Sequence, residues 1–166
     1  MPEATILAID PGNIESGWCL IRREDYRPLR FGKVPNAELL SLISAGDIEP
    51  DAVAIEMVAS YGMAVGREVF ETCVWIGRFW QESIEYLGGV PVELIFRIDE
   101  KLTLCHSPRA NDATIRQALI DRFAMHDLKT GKGTKAKPDW FYGFAKDVWS
   151  AYCVGVVWLD KQKEHV

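Results

Sequence analysis

At 166 residues, 48% of them hydrophobic, the chain is sized for one domain with its own core and excludes a large multidomain assembly. Cys19, Cys73, Cys105 and Cys153 are scattered, with no C-x-x-C pair and no histidine at zinc-ligand spacing. That pattern excludes a disulfide framework and a zinc site and reads as buried thiols in a reducing compartment. The net charge of −5 by itself argues against a nucleic-acid partner, since phosphate binding usually leaves a basic footprint. Its distribution softens the argument, because Lys129, Lys132, Lys135 and Lys137 fall within nine positions and Arg22, Arg23, Arg27 and Arg30 crowd one predicted hairpin. No run of about 18 apolar residues signals a membrane span, and the opening residues run into a strand instead of a signal peptide, so a cytoplasmic protein is expected.

In chain order, Thr5 to Ile9 is a short apolar run closed by Asp-Pro-Gly, and Gly17 to Ile21 and Leu29 to Val34 are β-type runs separated by turns. These predict a three-stranded antiparallel meander. Asn36 to Ser44, with Asn36 as cap and Leu39, Leu40, Leu42 and Ile43 behind it, predicts a short helix stopped by Gly46. Ala52 to Ile55 is a buried strand ending at Glu56. From Val65 to Tyr86 apolar residues recur at three and four, predicting a long helix ended by Gly88-Gly89. Val92 to Phe96 is a further strand, and Asn111 to Phe123 is an amphipathic helix. Leu128 to Phe144 reads as a long loop, and Lys146 to Gln162 as the last helix. The order predicts an α/β fold with a mixed sheet covered on both faces.

Three carboxylates stand out by position. Asp10 ends the first strand in Ile-Asp-Pro-Gly-Asn, where Gly12 and Gly17 permit a tight turn that exposes it. Taken alone, Asp-Pro-Gly marks only a turn. Glu56 closes an apolar run, where a charge is costly unless it is paired or binds a cation. Asp147 begins an otherwise apolar helix, a position that capping alone would explain. Together, two strand-end acids and one helix-start acid can converge on a cleft for two divalent ions, and hard ions such as magnesium take oxygen ligands. Two-ion sites activate water and stabilise the leaving oxygen of an in-line displacement at phosphorus, which predicts phosphodiester hydrolysis.

These segments resemble the RuvC-type Holliday-junction resolvases of the ribonuclease H superfamily. Ile6-Leu7-Ala8-Ile9-Asp10-Pro11-Gly12 followed by Gly17 is similar to their first motif, Ala54-Ile55-Glu56 to their second, and Lys146-Asp147-Val148-Trp149 to their last. Ser60-Tyr61-Gly62-Met63, the helix around Glu71 to Phe79, and the Ser-Pro-Arg-Ala-Asn-Asp run from Ser107 resemble the phage and prophage branch. The resemblance implies a ribonuclease H-like fold with three antiparallel then two parallel strands, a homodimer, and paired nicking of four-way DNA junctions with Mg2+ or Mn2+. It implies Asp10, Glu56 and Asp147 as both catalytic and metal-binding residues. One departure stands out. The family carries a fourth acid or histidine three places before the last acid, and here that place is Phe144. Asp139, Asp112 or a water molecule are the candidate replacements.

Given DNA as substrate, Lys129, Lys132, Lys135 and Lys137 with the intervening Gly131 and Gly133 are candidates to follow a phosphate backbone. Arg109, Arg116 and Lys146 are further candidates, each with a solvated surface role as its alternative. Tyr61 is the candidate base-stacking wedge. The aromatic-rich helix from Val65, with Phe70, Trp75, Phe79, Trp80 and Tyr86, carries more apolar surface than one core face needs and is expected to pack on a second subunit. Three rival readings stay open. A sugar-kinase or actin-like ATPase domain shares an Asp-x-Gly turn but needs two domains and a second phosphate-binding hairpin. The others are a branched-DNA-binding module that does not cut, and an RNA-acting nuclease of the same fold.

Overall fold

The computed structural model describes residues 2–166. Five strands, β1 (Thr5–Asp10), β2 (Glu15–Arg22), β3 (Pro28–Pro35), β4 (Val53–Met57) and β5 (Val92–Phe96), form one sheet in the order β3-β2-β1-β4-β5. The first three are antiparallel neighbours, and β1–β4 and β4–β5 are parallel, as expected from the sequence. Five helices complete the chain: α1 (Asn36–Ser44), α2 (Arg67–Tyr86), α3 (Arg97–Cys105), α4 (Asp112–Phe123) and α5 (Lys146–Glu164).

Strand periodicity sorts the core into two layers. Leu7, Ile9, Trp18, Val53 and Ile55 point to the face covered by α1 and α2, where Leu39, Ile43, Ile76 and Phe79 meet them. Ile6, Ala8, Cys19, Ile21, Ala54 and Ile95 point to the opposite face, packed under α5 with α3 and α4 flanking it. The run from Val148 to Leu159 is buried apart from half-buried Ser150, so α5 is enclosed nearly all round. Gly155 lets it lie close, because a Cβ there would run into Ile21 and Ala8.

The sequence expectations need four corrections. α3 follows β5 directly, with no turn residue between Phe96 and Arg97, and was not anticipated. Asn36 is not the cap of α1, which Pro35 precedes; its buried side chain instead ties the β1–β2 turn, donating to the Gly12 carbonyl at 2.9 Å and accepting from Ser16 Oγ at 2.6 Å. α2 begins at Arg67, two residues later than the periodicity suggests. Only Cys19 and Cys153 are buried; Cys73 and Cys105 are half-buried, and all four are free thiols. Residues 128–144 form the long irregular loop expected, anchored where Trp140, Phe141 and Phe144 pack into the core. Asn111, by contrast, caps α4 in a capping box with Thr114, as its position suggests. Among the described residues no helix is long and apolar enough to cross a membrane.

Candidate active site

Asp10 and Glu56 come together through sheet geometry. β1 and β4 are parallel neighbours with Ile9 opposite Ile55, so the next residue on each strand is an acid, and period two aims both at the α5 face. The turn after Asp10 is held by Gly12 N–H donating to Ser16 Oγ (3.2 Å) and Asn36 N–H donating to the Ile14 carbonyl (3.0 Å). The third acid arrives from α5. Asp10 is paired in register with Gly17, and the backbone of Asp147 lies against Gly17 in the space a Cβ would need. Asp147 does not cap its helix; the N-cap residue is Ala145, with no side-chain cap. Its Oδ2 instead accepts an ion pair from Lys33 Nζ on β3 at 2.6 Å. Asp10, Gly12, Asn13, Glu15, Gly17, Lys33 and Asp147 line an open cleft at this end of the sheet.

Glu100, one turn into α3, joins the group. It is 0% exposed, its Oε1 accepts from Arg97 at a long 3.4 Å, and it lies within Coulombic reach of Asp10 and Glu56. Burial, then the charges of Glu56 and Asp147, push the Asp10 carboxyl well above the usual carboxylate range. Burial and the charge of Glu100 push Glu56 up likewise, with Arg97 opposing. Burial raises Glu100 in turn, while the neighbouring Cys153 thiol and Arg97 oppose the rise. Carboxyls perturbed together in this way mark a candidate functional site. As the side chains stand, with Lys33 holding Asp147, no three His, Cys, Asp or Glu among the described residues are gathered closely enough to chelate an ion.

The candidates for a fourth acid resolve differently from expectation. Asp139 is committed to its loop: its carboxylate accepts backbone N–H groups of Met125, His126, Asp127 and Trp140 at 2.6–2.8 Å. Asp112 is exposed and pairs with Arg97. Phe144 is buried in an aromatic cluster with Phe31, Phe141, Trp149 and Tyr152. Glu100 and Lys33 were missed by the sequence reading. Glu100, in a helix that the sequence pattern does not mark, follows a strand with only Ile95 buried and so lacks the apolar-run context of Asp10 and Glu56; Lys33 alternates onto its site from an ordinary edge strand and gives no signal.

The basic candidates divide into two sets. Arg116, Lys129, Lys132 and Trp149 line one recess, and Arg97, Arg116, Lys146 and Trp149 line a neighbouring one, with Arg116 over the Trp149 ring at 5.3 Å. Arg109, Lys135 and Lys137 are exposed and line neither recess. The arginines of the β2–β3 hairpin do not form a free basic surface near the site. Thr5 pairs with Arg22 and Asp10 with Gly17, so the hairpin lies at the other end of the sheet. There Arg22 pairs with Asp25 and Glu3, while Arg23 and Arg27 lie over Trp158 and Trp140. Tyr61 sits beyond β4 in a left-handed turn conformation (φ 49°), with 65% of its surface exposed.

No protein-family model matches the sequence, and no curated protein matches it. Solved structures do match in three dimensions. Thermus thermophilus RuvC superposes with a TM-score of 0.70 at 16% identity, covering 96% of each chain. The same protein in complex with a Holliday junction substrate also gives 0.70, at 14% identity over 98% of this chain and 96% of that one. The yeast mitochondrial Holliday junction resolvase Ydc2 gives 0.59 at 12% identity, covering 99% of this chain and 83% of that one. The likeness extends over nearly the whole length, and with its five-stranded mixed sheet and helices on both faces the chain has the ribonuclease H-like fold of the RuvC resolvases.

Proposed function

We propose that this chain is a metal-dependent endonuclease that nicks branched DNA, four-way junctions foremost, with Asp10, Glu56 and Asp147 holding the metal. The observation that carries the reading is that Asp10 and Asp147, from separate elements, line one open cleft at the end of the sheet, with Glu56 beside Asp10 at the end of the neighbouring strand. Structural packing does not explain it, because the acids repel one another.

The residues fit a hard divalent cation such as Mg2+ or Mn2+. The donors are all carboxylate oxygens, burial and mutual charge favour the neutral forms of Asp10 and Glu56, a cost that a bound cation would relieve, and the Lys33 ammonium already sits on Asp147. A pair of such ions would activate water and stabilise the leaving oxygen of the phosphodiester. The protein's part is to present Asp10 and Glu56 side by side on rigid central strands and to bring Asp147 over them on α5. Arg116, Lys129 and Lys132, with Lys146 in the neighbouring recess beside Asp147, would supply a track for a DNA backbone, and the exposed Arg109, Lys135 and Lys137 are free to add to it. Tyr61 projects from the turn after Glu56, placed to stack on a base where strands part. Phe70 and Val74, one helical turn apart on α2 and 61% and 63% exposed, supply an apolar face for a second copy of the chain. The structural likeness to a RuvC in complex with a Holliday junction substrate favours the four-way junction over linear duplex.

A second reading, a junction-binding protein that does not cut, is favoured by the Lys33–Asp147 pair, in which an ammonium takes the place of an ion. Incubation of a synthetic four-way junction and a linear duplex with the protein in Mg2+ or Mn2+, beside Asp10→Asn and Glu56→Gln, separates the two. Symmetric nicks in the junction that both substitutions abolish support the nuclease. A junction bound but intact in either metal supports the binding module.

A further inference from the structure

The residue at position 144 is a buried phenylalanine, so the segment that precedes Asp147 supplies no fourth carboxylate. The gap is met from the other side of the cleft. β5 lies beside β4 with Ile95 opposite Glu56, and the chain passes without a turn into α3, which carries Glu100 back under the carboxyl ends of the central strands. Three buried side-chain N or O atoms among the described residues have no hydrogen-bond partner: two indole nitrogens, of Trp18 and Trp158, and Glu100 Oε2. An indole N–H left unpaired costs little beside a carboxylate oxygen withdrawn from water with nothing to neutralise it.

Two internal explanations for Glu100 fall short. Arg97 is its nearest cation but reaches only Oε1, at 3.4 Å, and makes its closer contact with exposed Asp112. The Cys153 thiol touches Glu100 from α5 but is a weak donor and leaves Oε2 unpartnered. An unpartnered, fully buried carboxylate oxygen that also feels the charges of Asp10 and Glu56 is a candidate ligand for a hard cation drawn between them.

Resting on the metal-dependent reading above, we propose that Glu100 is a fourth ligand of the divalent-cation site, supplied by α3 in place of a side chain at position 144. Arg97 is then a positioning residue: its guanidinium, braced by Asp112, holds Oε1 and leaves Oε2 to the ion.

Calorimetric titration of the full-length protein with Mn2+, with no DNA present, tests this. Wild type, Glu100→Gln and Asp10→Asn are compared, and the Mn2+-induced rise in melting temperature is measured for each. Glu100→Gln keeps the shape of the side chain and removes its charge. The expected result is an unchanged or higher melting temperature without metal, with Mn2+ affinity reduced at least tenfold or one ion lost from the stoichiometry. Mn2+ binding by Glu100→Gln equal to wild type, while Asp10→Asn loses it, overturns the role of Glu100 and leaves the nuclease reading standing. A wild type that binds no Mn2+ overturns both. Should Glu100→Gln not fold, Glu100→Asp carries the test: weaker Mn2+ binding in a folded protein supports the assignment, and wild-type binding overturns it.

Discussion

The backbone of Asp147 occupies the space that a side chain on Gly17 would fill: a Cβ at Gly17 would press on the Asp147 carbonyl and its Cβ. Because Gly17 pairs with Asp10 across β1 and β2, this one missing methyl sets how closely the third acid approaches the first. Gly17→Ala therefore has to push the start of α5 away from the sheet. We expect a loss of about 1–3 kcal/mol in stability, the usual cost of overpacking, and a larger proportional loss in junction cleavage. Cleavage at the wild-type rate, in a protein unfolding at the wild-type denaturant midpoint, would show that α5 is free to shift without consequence.

The repulsion among the acids has a signature in stability. The folded-state pKa values of Asp10 and Glu56 lie above those of free carboxyls, because burial and neighbouring charge favour the neutral forms. Through this pair the folded state holds more protons than the unfolded chain above about pH 4, and the pair's contribution to stability falls as pH rises from there into the alkaline range. Asp10→Asn removes one charge and should stabilise the metal-free protein by about 1–2 kcal/mol near pH 8, with little effect near pH 4. Added Mg2+ or Mn2+ should stabilise the wild type most at the alkaline end, where it meets no competing proton. Thermal melts across that range, with and without metal, read both effects; an Asp10→Asn protein less stable than wild type at pH 8 without metal would contradict them.

Much of this arrangement was legible in the sequence because local signals coincide with the global fold. Asp10, Glu56 and Asp147 each interrupt an apolar segment at its end, and period-two and period-3.6 patterns place those ends. α3 was not legible, since Phe96 and Arg97 carry no glycine, proline or capping residue to mark the change from strand to helix. Missing α3 hid Glu100, and with it the reason Phe144 is tolerated. The arginine hairpin misled for a different reason: charge density along the chain says nothing about which end of a sheet a turn occupies. Asn36 shows the same limit, a good capping residue that tertiary contacts use instead to lock the turn beside Asp10.

Asp139 answers for the stability of the lysine-rich loop. Burial acts to raise its pKa, but the N–H groups of Asp127, His126, Met125 and Trp140 together outweigh burial and hold it well below the usual carboxylate value. Such a group contributes stability above its unfolded pKa of about 4, and the contribution is lost as pH falls through the folded value. Asp139→Ala leaves those amides without an acceptor and should cost about 2–4 kcal/mol. Chemical denaturation at pH 7 and again in acid checks this: the gap between variant and wild type should narrow as the solution becomes acidic.

Tyr61 offers a test that separates opening of the junction from chemistry. Its side chain is mostly exposed and no hydrogen bond from its hydroxyl holds it, so removing it takes little from the fold. Base–aromatic stacking is worth about 1–3 kcal/mol, and Tyr61→Ala should slow junction cleavage by about tenfold or more while its melting temperature and Mn2+ binding stay at wild-type values. A fluorescent adenine analogue placed at the branch point reports unstacking directly, and Tyr61→Phe should restore it. Equal fluorescence from wild type and Tyr61→Ala would end the wedge reading.

The two sets of basic residues make opposite predictions about salt. Arg116 and Lys132 share a recess beside Trp149 and continue toward Lys146, whereas Arg27 lies over Trp140 at the far end of the sheet. A residue that neutralises a phosphate releases a condensed counterion, so its removal weakens binding and lowers the slope of log K against log salt by about 1. Lys132→Ala and Arg116→Ala should each do this for junction binding, and together lower the slope by about 2. Arg27→Ala should leave the slope unchanged while costing some stability through its lost contact with Trp140. Binding isotherms at several salt concentrations distinguish the cases, and a slope altered by Arg27→Ala alone would move the DNA path to the other end of the sheet.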